Sequence, residues 1–237
     1  MIIDADKLRQ ECADFGVEVD SLAAERLDKY ADLLIEWNKR MNLTGITEPS
    51  GIVTRHFADS ASFFAAVTPR DGASIIDVGS GAGFPGMVIK ILRPDMAVTL
   101  LDATNKRITF LQAVADELGI ALNAVHGRAE EIASKAEYRE AFDYATARAV
   151  AELRVLSEYC LGFVKMGGEF VAMKGQLGGD EISSAQSAIL TMGGKSGKIT
   201  RLVLADGSER QLMTVKKISH TPTKYPRKSS RIKQKPL

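Results

Sequence analysis

Apolar residues recur at helical spacing over residues 4–14 and 20–40, and in the second stretch Leu22, Leu27, Tyr30, Leu33, Leu34 and Trp37 trace one broad face. A third helical stretch is expected at 50–66. From there the pattern changes. Short runs without polar alternation, at 73–78, 97–101, 121–126, 142–147 and 168–174, predict strands buried on both faces. Between them, 85–92, 105–118, 150–163 and 180–191 return to helical spacing, with a loop around Glu130. Two consecutive runs, 198–204 and 210–218, then flank Ala205-Asp206-Gly207-Ser208, which predicts a hairpin. The alternation implies an α/β fold with a mainly parallel sheet that ends in an antiparallel hairpin, preceded by an N-terminal helical extension.

The strand at 73–78 runs into the chain's densest chemistry, IIDVGSGAGFPG at 75–86. Gly79, Gly81 and Gly83 let the backbone turn sharply and approach a ligand with no Cβ in the way, and Pro85 suits the first turn of a following helix. Two ligands compete for such a loop. Gly81, Gly83 and Gly86 spell G-x-G-x-x-G, the fingerprint that seats a dinucleotide pyrophosphate on a helix N-terminus. The order Asp77-Val78-Gly79 instead resembles motif I of the class I S-adenosylmethionine methyltransferases, where the acid and backbone amides are expected to hold the cofactor's methionine end. Asp102, ending the next strand, is placed to accept both hydroxyls of a ribose, which serves either cofactor; it is also placed to cap a helix starting near Asn105. The hairpin favours a Rossmann-like methyltransferase sheet, whose last strand runs antiparallel.

Length and charge divide the chain further. A helical extension over 1–70, a cofactor-binding domain over 71–220 and a tail over 221–237 are expected. The net charge of +1 hides an asymmetry, because the tail carries Lys224, Arg227, Lys228, Arg231, Lys233 and Lys235 with no acid. Taking those six from 31 basic residues leaves 25 against 30 acidic ones, a body of net −5. The tail also holds three prolines and two serines, a composition expected to stay flexible, so it reads as an RNA-binding arm or a solubilising end. Cys12 and Cys160 form no C-x-x-C, and His56, His126 and His220 lie in no metal-ligand spacing, so neither a disulfide framework nor a metal site is expected. No signal peptide and no run of membrane length is visible, which predicts a cytoplasmic protein, and a monomer is expected.

Absences narrow the acceptor atom. The place after the fourth strand, where amino-group methyltransferases carry Asp/Asn-Pro-Pro-aromatic, holds Thr146-Ala147-Arg148-Ala149. Cys160 lies in LSEYCLGF, an apolar setting that suits a buried thiol rather than the nucleophile needed for carbon methylation. An acceptor with a free lone pair at neutral pH fits these gaps. Arg148 and Lys174, at the ends of their strands, are placed at the mouth where open α/β sheets gather ligands, either to clamp an anion or as ordinary surface cations. His56 and Asp59 share a helix face, as an oriented pair at the site or as a surface pair.

With these pieces in order, the chain resembles the bacterial small-subunit ribosomal RNA guanine-N7 methyltransferases, the RsmG (GidB) family. The likeness runs from Trp37 to Leu237 and rests on Trp37-Asn38-Lys39 with Asn42-Leu43-Thr44, Arg55-His56 with Asp59-Ser60, and Asp77 to Gly86. Leu101-Asp102, Lys106-Arg107, Phe110-Leu111, Ala129-Glu130-Glu131, Ala147-Arg148-Ala149, Met173-Lys174-Gly175, Lys224 to Lys228 and Lys235-Pro236-Leu237 complete it. The resemblance implies methyl transfer from S-adenosyl-L-methionine to N7 of a guanine in a 16S ribosomal RNA hairpin loop, on the RNA or the small ribosomal subunit. It implies cofactor contacts by Asp77, Gly79, Gly81, Gly83, Phe84, Asp102, Ala129, Glu130 and Arg148, with Phe84 beside the sulfonium or adenine. Substrate positioning falls to Arg148, Lys174 and His56 with no general base, and RNA binding to the six tail cations. Ala103-Thr104 and Ser229-Ser230-Arg231-Ile232 depart from the usual pattern, which bears on contacts after the second strand and on the tail's path along RNA. An NAD-dependent oxidoreductase and a non-enzymatic RNA-binding protein are the competing readings, and no hydride-transfer His or Tyr-x-x-x-Lys pair supports the first.

Overall fold

The N-terminal helices start at acids. Helix α1 (Ala5–Ala13) begins where the Asp4 carboxylate accepts the amides of Asp6 and Lys7, and α2 (Ser21–Met41) where Asp20 accepts the amide of Ala23 at 2.7 Å. Helix α2 ends at Asn42 in the left-handed conformation. Its buried stripe is Ala23, Ala24, Leu27, Tyr30, Ala31 and Leu34. Leu22, expected on that face, is 53% exposed, because the five residues to Leu27 turn it about 140° around the helix. The stretch expected as one helix at 50–66 is broken into α3 (Pro49–Gly51), a π-helical segment (Ile52–Ala58), α4 (Asp59–Ala61) and α5 (Phe63–Ala66).

In this computed structural model, which describes residues 1–148 and 151–237, the strands form one seven-stranded sheet. They are β1 (Ser74–Val78), β2 (Ala97–Asp102), β3 (Asn123–His126), β4 (Phe142–Arg148), β5 (Val164–Lys174), β6 (Gly194–Val203) and β7 (Glu209–Lys217), in the order β3-β2-β1-β4-β5-β7-β6. Strands β1 to β5 pair in parallel, and β7 runs antiparallel to both β5 and β6. The connecting helices are α6 (Gly86–Leu92), α7 (Asn105–Leu118), α8 (Ala129–Ile132), α9 (Leu153–Cys160) and α10 (Gly179–Thr191). The helix expected at 150–163 ends at Cys160, and its first position, Val150, lies outside the described residues, as does Ala149.

Both sheet faces are covered, as unalternating apolar strands require. On β1, Ile75 packs with α1, α2, the π-helical segment, α6 and α7, whereas Ile76 and Val78 pack with α9 and α10. Strand order reverses beside β1, whose neighbours β2 and β4 lead to opposite halves of the sheet. In open α/β sheets that reversal opens a crevice at the carboxyl ends of the strands.

The tail departs from expectation. Residues 229–234 form α11 (Ser229–Gln234), and Ile232 is fully buried in the core on the α9 side. The Arg227 guanidinium donates to both oxygens of buried Glu158, at 2.9 and 2.6 Å, while Arg139 donates to the carbonyls of Thr221 and Tyr225. Composition misses this order because the partners are acids and an arginine of the body, 69 or more residues away.

Candidate functional site

The glycine loop between β1 and α6 is braced from below and behind. Gly79, Gly81 and Gly83 take φ values of 75°, 58° and 101°. A Cβ on Gly83 would lie 2.5 Å from the Tyr30 hydroxyl, and one on Gly86 would lie 2.8 Å from the Asp77 Cβ. The amides of Gly79 and Ser80 donate to the Leu101 carbonyl, that of Gly81 to Asp102 Oδ2 at 2.9 Å, and the Tyr30 hydroxyl donates to the Ala82 carbonyl. These bonds stiffen the loop. Asp77 is fully buried. Its Oδ2 accepts the Gly86 amide at 2.8 Å, and Oδ1 has no partner among the described residues. Burial pushes its carboxyl up to about 7 against the pull of that amide and of Arg148.

Asp102 is 3% exposed and fixed at both oxygens, Oδ2 by Gly81 and Oδ1 by the Thr104 amide at 2.8 Å. It does not cap α7, which starts after Thr104. With Gly79, Ala129 and Glu130 it lines a cavity of about 510 Å³ at the ends of β1 and β2, of a size that suits a nucleoside-bearing cofactor. Four of the expected cofactor residues thus meet. Asp77, Gly81, Gly83 and Phe84 do not line this cavity.

A second cavity, about 360 Å³, lies at the ends of β4 and β5 and is walled by His56, Asp59, Arg148, Lys174 and Arg210. Buried Asp59 accepts from Arg148 at 3.0 Å and from Arg210 at 2.9 Å, one arginine on each oxygen. Arg148 also donates to the Arg55 carbonyl at 3.0 Å and to His56 Nδ1 at 3.4 Å, and its Cζ stands 5.0 Å from the Phe84 ring centroid. A guanidinium only donates, so Nδ1 accepts and the proton sits on Nε2, which donates to Thr44 Oγ1 at 2.8 Å. Burial and the nearby arginine lower the His56 pKa to about 3, so the imidazole is neutral. His56 stacks on Phe84 at 4.3 Å, while Tyr30 and Phe57 pack at 5.4 and 6.2 Å. Phe84 therefore backs Arg148 and His56.

His56 and Asp59 are buried, and Arg148 joins them, so neither a surface pair nor a direct pair is formed. Lys174 is tied to the Ala151 carbonyl and Glu181. Sequence reasoning missed Arg210, which sits in the hairpin with no motif around it. Thr44 was visible only as a motif letter. The Asn38 side-chain amide donates to the Thr44 carbonyl and accepts the Thr44 amide, both at 2.9 Å, and so sets Thr44 against His56. Among the described residues no group of three or more His, Cys, Asp and Glu is placed to hold a metal, and no helix is long and apolar enough to cross a membrane.

The GidB family model, described as rRNA small subunit methyltransferase G, matches residues 23–213. The chain belongs to this family. Its relatives named ribosomal RNA small subunit methyltransferase G include one from Alkaliphilus metalliredigens, 44% identical over 97% of both chains, and one from Clostridium kluyveri, 46% identical over 95% of both. Among solved structures, a 16S rRNA (adenine(1408)-N(1))-methyltransferase from Catenulisporales acidiphilia matches with a TM-score of 0.53 at 14% identity, covering 64% of this chain and 88% of that one. The YcgJ protein of Bacillus subtilis matches at 0.55 and 14%, covering 69% of this chain and all of the other. These two likenesses show the fold alone. The GidB match stops before α11, so the part of the chain that the family model does not reach includes the anchored C-terminal segment.

Proposed function

We propose that this chain transfers a methyl group from S-adenosylmethionine to N7 of a guanine in small-subunit ribosomal RNA, as a monomer in the cytoplasm. Family membership supports a ribosomal RNA methyltransferase and its cofactor; the acceptor atom rests on the geometry and on the resemblance in the motifs. When bound, the cofactor supplies a methyl group carried on a cationic sulfur. The residues of the first cavity fit it: fixed Asp102 would accept the ribose hydroxyls, and Ala129 and Glu130 would flank the adenine. The unpartnered Asp77 Oδ1 lies beneath the loop where a cationic amino group gains from a carboxylate.

The observation that carries the acceptor is His56. A buried, neutral imidazole with both nitrogens engaged takes no proton near pH 7, and no other histidine lines that cavity. Guanine N7 offers an in-plane lone pair and no proton, so alignment and exclusion of water suffice, worth up to several kcal/mol. Arg148, held by Asp59 and Phe84, presents a rigid donor face for phosphate or the guanine O6 edge. Lys174 and His56 shape the same wall. Lys224, Lys228, Arg231 and Lys235 are exposed and suit RNA phosphates, whereas Lys233 stands in the wall of the first cavity and Arg227 is engaged by Glu158, so both are withdrawn from that set.

The test is to map methylated nucleotides in small-subunit RNA from cells with and without this protein. One guanine should lose an N7 methyl group in its absence. Unchanged N7 methylation, or loss of methyl from a ring amino group, would overturn the proposal.

A further inference from the structure

The buried Glu158 carboxylate receives the backbone amide, Nε and Nη2 of Arg227, between 2.6 and 2.9 Å. Buried charge is tolerated when it is paired and hydrogen-bonded in this way, and breaking one side leaves the other uncompensated. The anchor is reinforced from the same helix α9, where the Tyr159 hydroxyl meets Ser229 Oγ at 3.0 Å, and by burial of Ile232. Arg227 Nη1 reaches on to the Lys235 carbonyl at 3.1 Å, folding the end of the chain back over α11.

The anchored segment forms part of the cavity that Asp102 lines. Lys233, Gln234 and Pro236 stand in its wall together with Tyr159 and the turn after β2. Lys228, Arg231 and Lys235 are exposed and stand outside that wall. One short segment, α11 with its flanking residues, therefore carries residues of two kinds, some lining the cavity and some exposed outside it.

We infer that residues 227–237 are a wall of the cofactor site, with Lys233 and Gln234 contacting the nucleoside end, and that RNA phosphates on Lys228, Arg231 and Lys235 couple RNA docking to cofactor retention through the Arg227–Glu158 anchor. The inference rests on the proposed cofactor reading. A ligand that meets the cavity wall and a polyanion that meets the outer face both favour the docked segment, and two ligands that favour one state must tighten each other's binding by the same factor.

Calorimetry with S-adenosylhomocysteine, which cannot turn over, tests this on the full chain with and without small-subunit ribosomal RNA. K233A/Q234A, changes at two exposed residues, should weaken binding about fivefold to tenfold with an unchanged melting temperature. Arg227→Gln should weaken it further and make the segment sensitive to protease. RNA should tighten binding several-fold in the wild type, and Lys228→Ala, Arg231→Ala and Lys235→Ala together should abolish that gain. Wild-type affinity in both K233A/Q234A and Arg227→Gln overturns the wall, and an RNA-independent affinity in the wild type overturns the coupling. A wild type that binds no S-adenosylhomocysteine fails at the cofactor reading itself, an outcome distinct from either.

Discussion

The two cavities at the carboxyl ends of the strands are built by opposite means. In the larger, local backbone fixes the key acid: a glycine loop and the turn after β2 are stitched together by amides, and Asp102 is held where the two meet. The smaller is made of side chains from four separated segments, with Thr44, His56 and Asp59, Arg148, and Arg210 meeting around two arginine-carboxylate contacts. Backbone geometry recognises a constant ligand and needs little from distant sequence. A side-chain network recognises through charge, and each member depends on the others.

Asp59→Ala should break that contrast most strongly. It leaves Arg148 and Arg210 close together and half-buried without their shared carboxylate, so it should lower stability by about 3–5 kcal/mol and abolish RNA methylation. Affinity for S-adenosylmethionine at a temperature where the variant is folded should change less than about twofold, because the first cavity shares no partner with Asp59. A large loss of cofactor affinity would mean that the two cavities are one energetic unit.

Stability against pH compares two groups with shifts of opposite effect. The folded Asp77 carboxyl is raised to about 7, so its contribution is full below the unfolded value of 3.8 and is lost as pH rises through about 7. The His56 pKa is lowered to about 3, so its contribution is full above the unfolded value of 6.5 and is lost as pH falls towards 3. Each effect is on the order of a few kcal/mol at most, and between pH 4 and 6.5 they oppose. Melting temperatures should therefore rise with pH more steeply in Asp77→Asn than in wild type, and fall with pH in His56→Gln. Parallel curves for all three proteins would remove the charge assignments from both sites.

Asp102→Ala sharpens the backbone side of the comparison. Losing charge-assisted hydrogen bonds to a ribose should weaken cofactor binding by about 1.5–3 kcal/mol, roughly tenfold to a hundredfold, with little change in RNA affinity. Unchanged calorimetric affinity would displace Asp102 from the site. The smallest expected effect is on the pH profile of the chemical step. With His56 neutral throughout, the single-turnover rate under saturating RNA and cofactor should stay nearly flat between roughly pH 6.5 and 8.5. A tenfold rise that His56→Gln abolishes would identify an acceptor that must first lose a proton.

How much of this was legible follows the range of each contact. Asp77, the glycine run and Asp102 lie within 26 residues, and what they require is a sharp turn and an acid at a strand end, both requirements of local backbone. Composition and spacing therefore determined the α/β alternation, the closing hairpin, the sharp glycine turn and the end of the sheet where the cavities gather. The neighbours of Phe84 were not legible, because an aromatic beside a glycine loop suits many partners and only the packing of the N-terminal helices brings His56 and Tyr30 against it. The tail was misjudged because its order resides in Glu158 and Arg139, which its own composition does not contain. Asp59 finds Arg210 across 151 residues and Arg148 finds His56 across 92. Such pairs come from sheet order and helix docking: burial makes an unpaired charge costly, and tertiary structure alone decides which partners remain within reach.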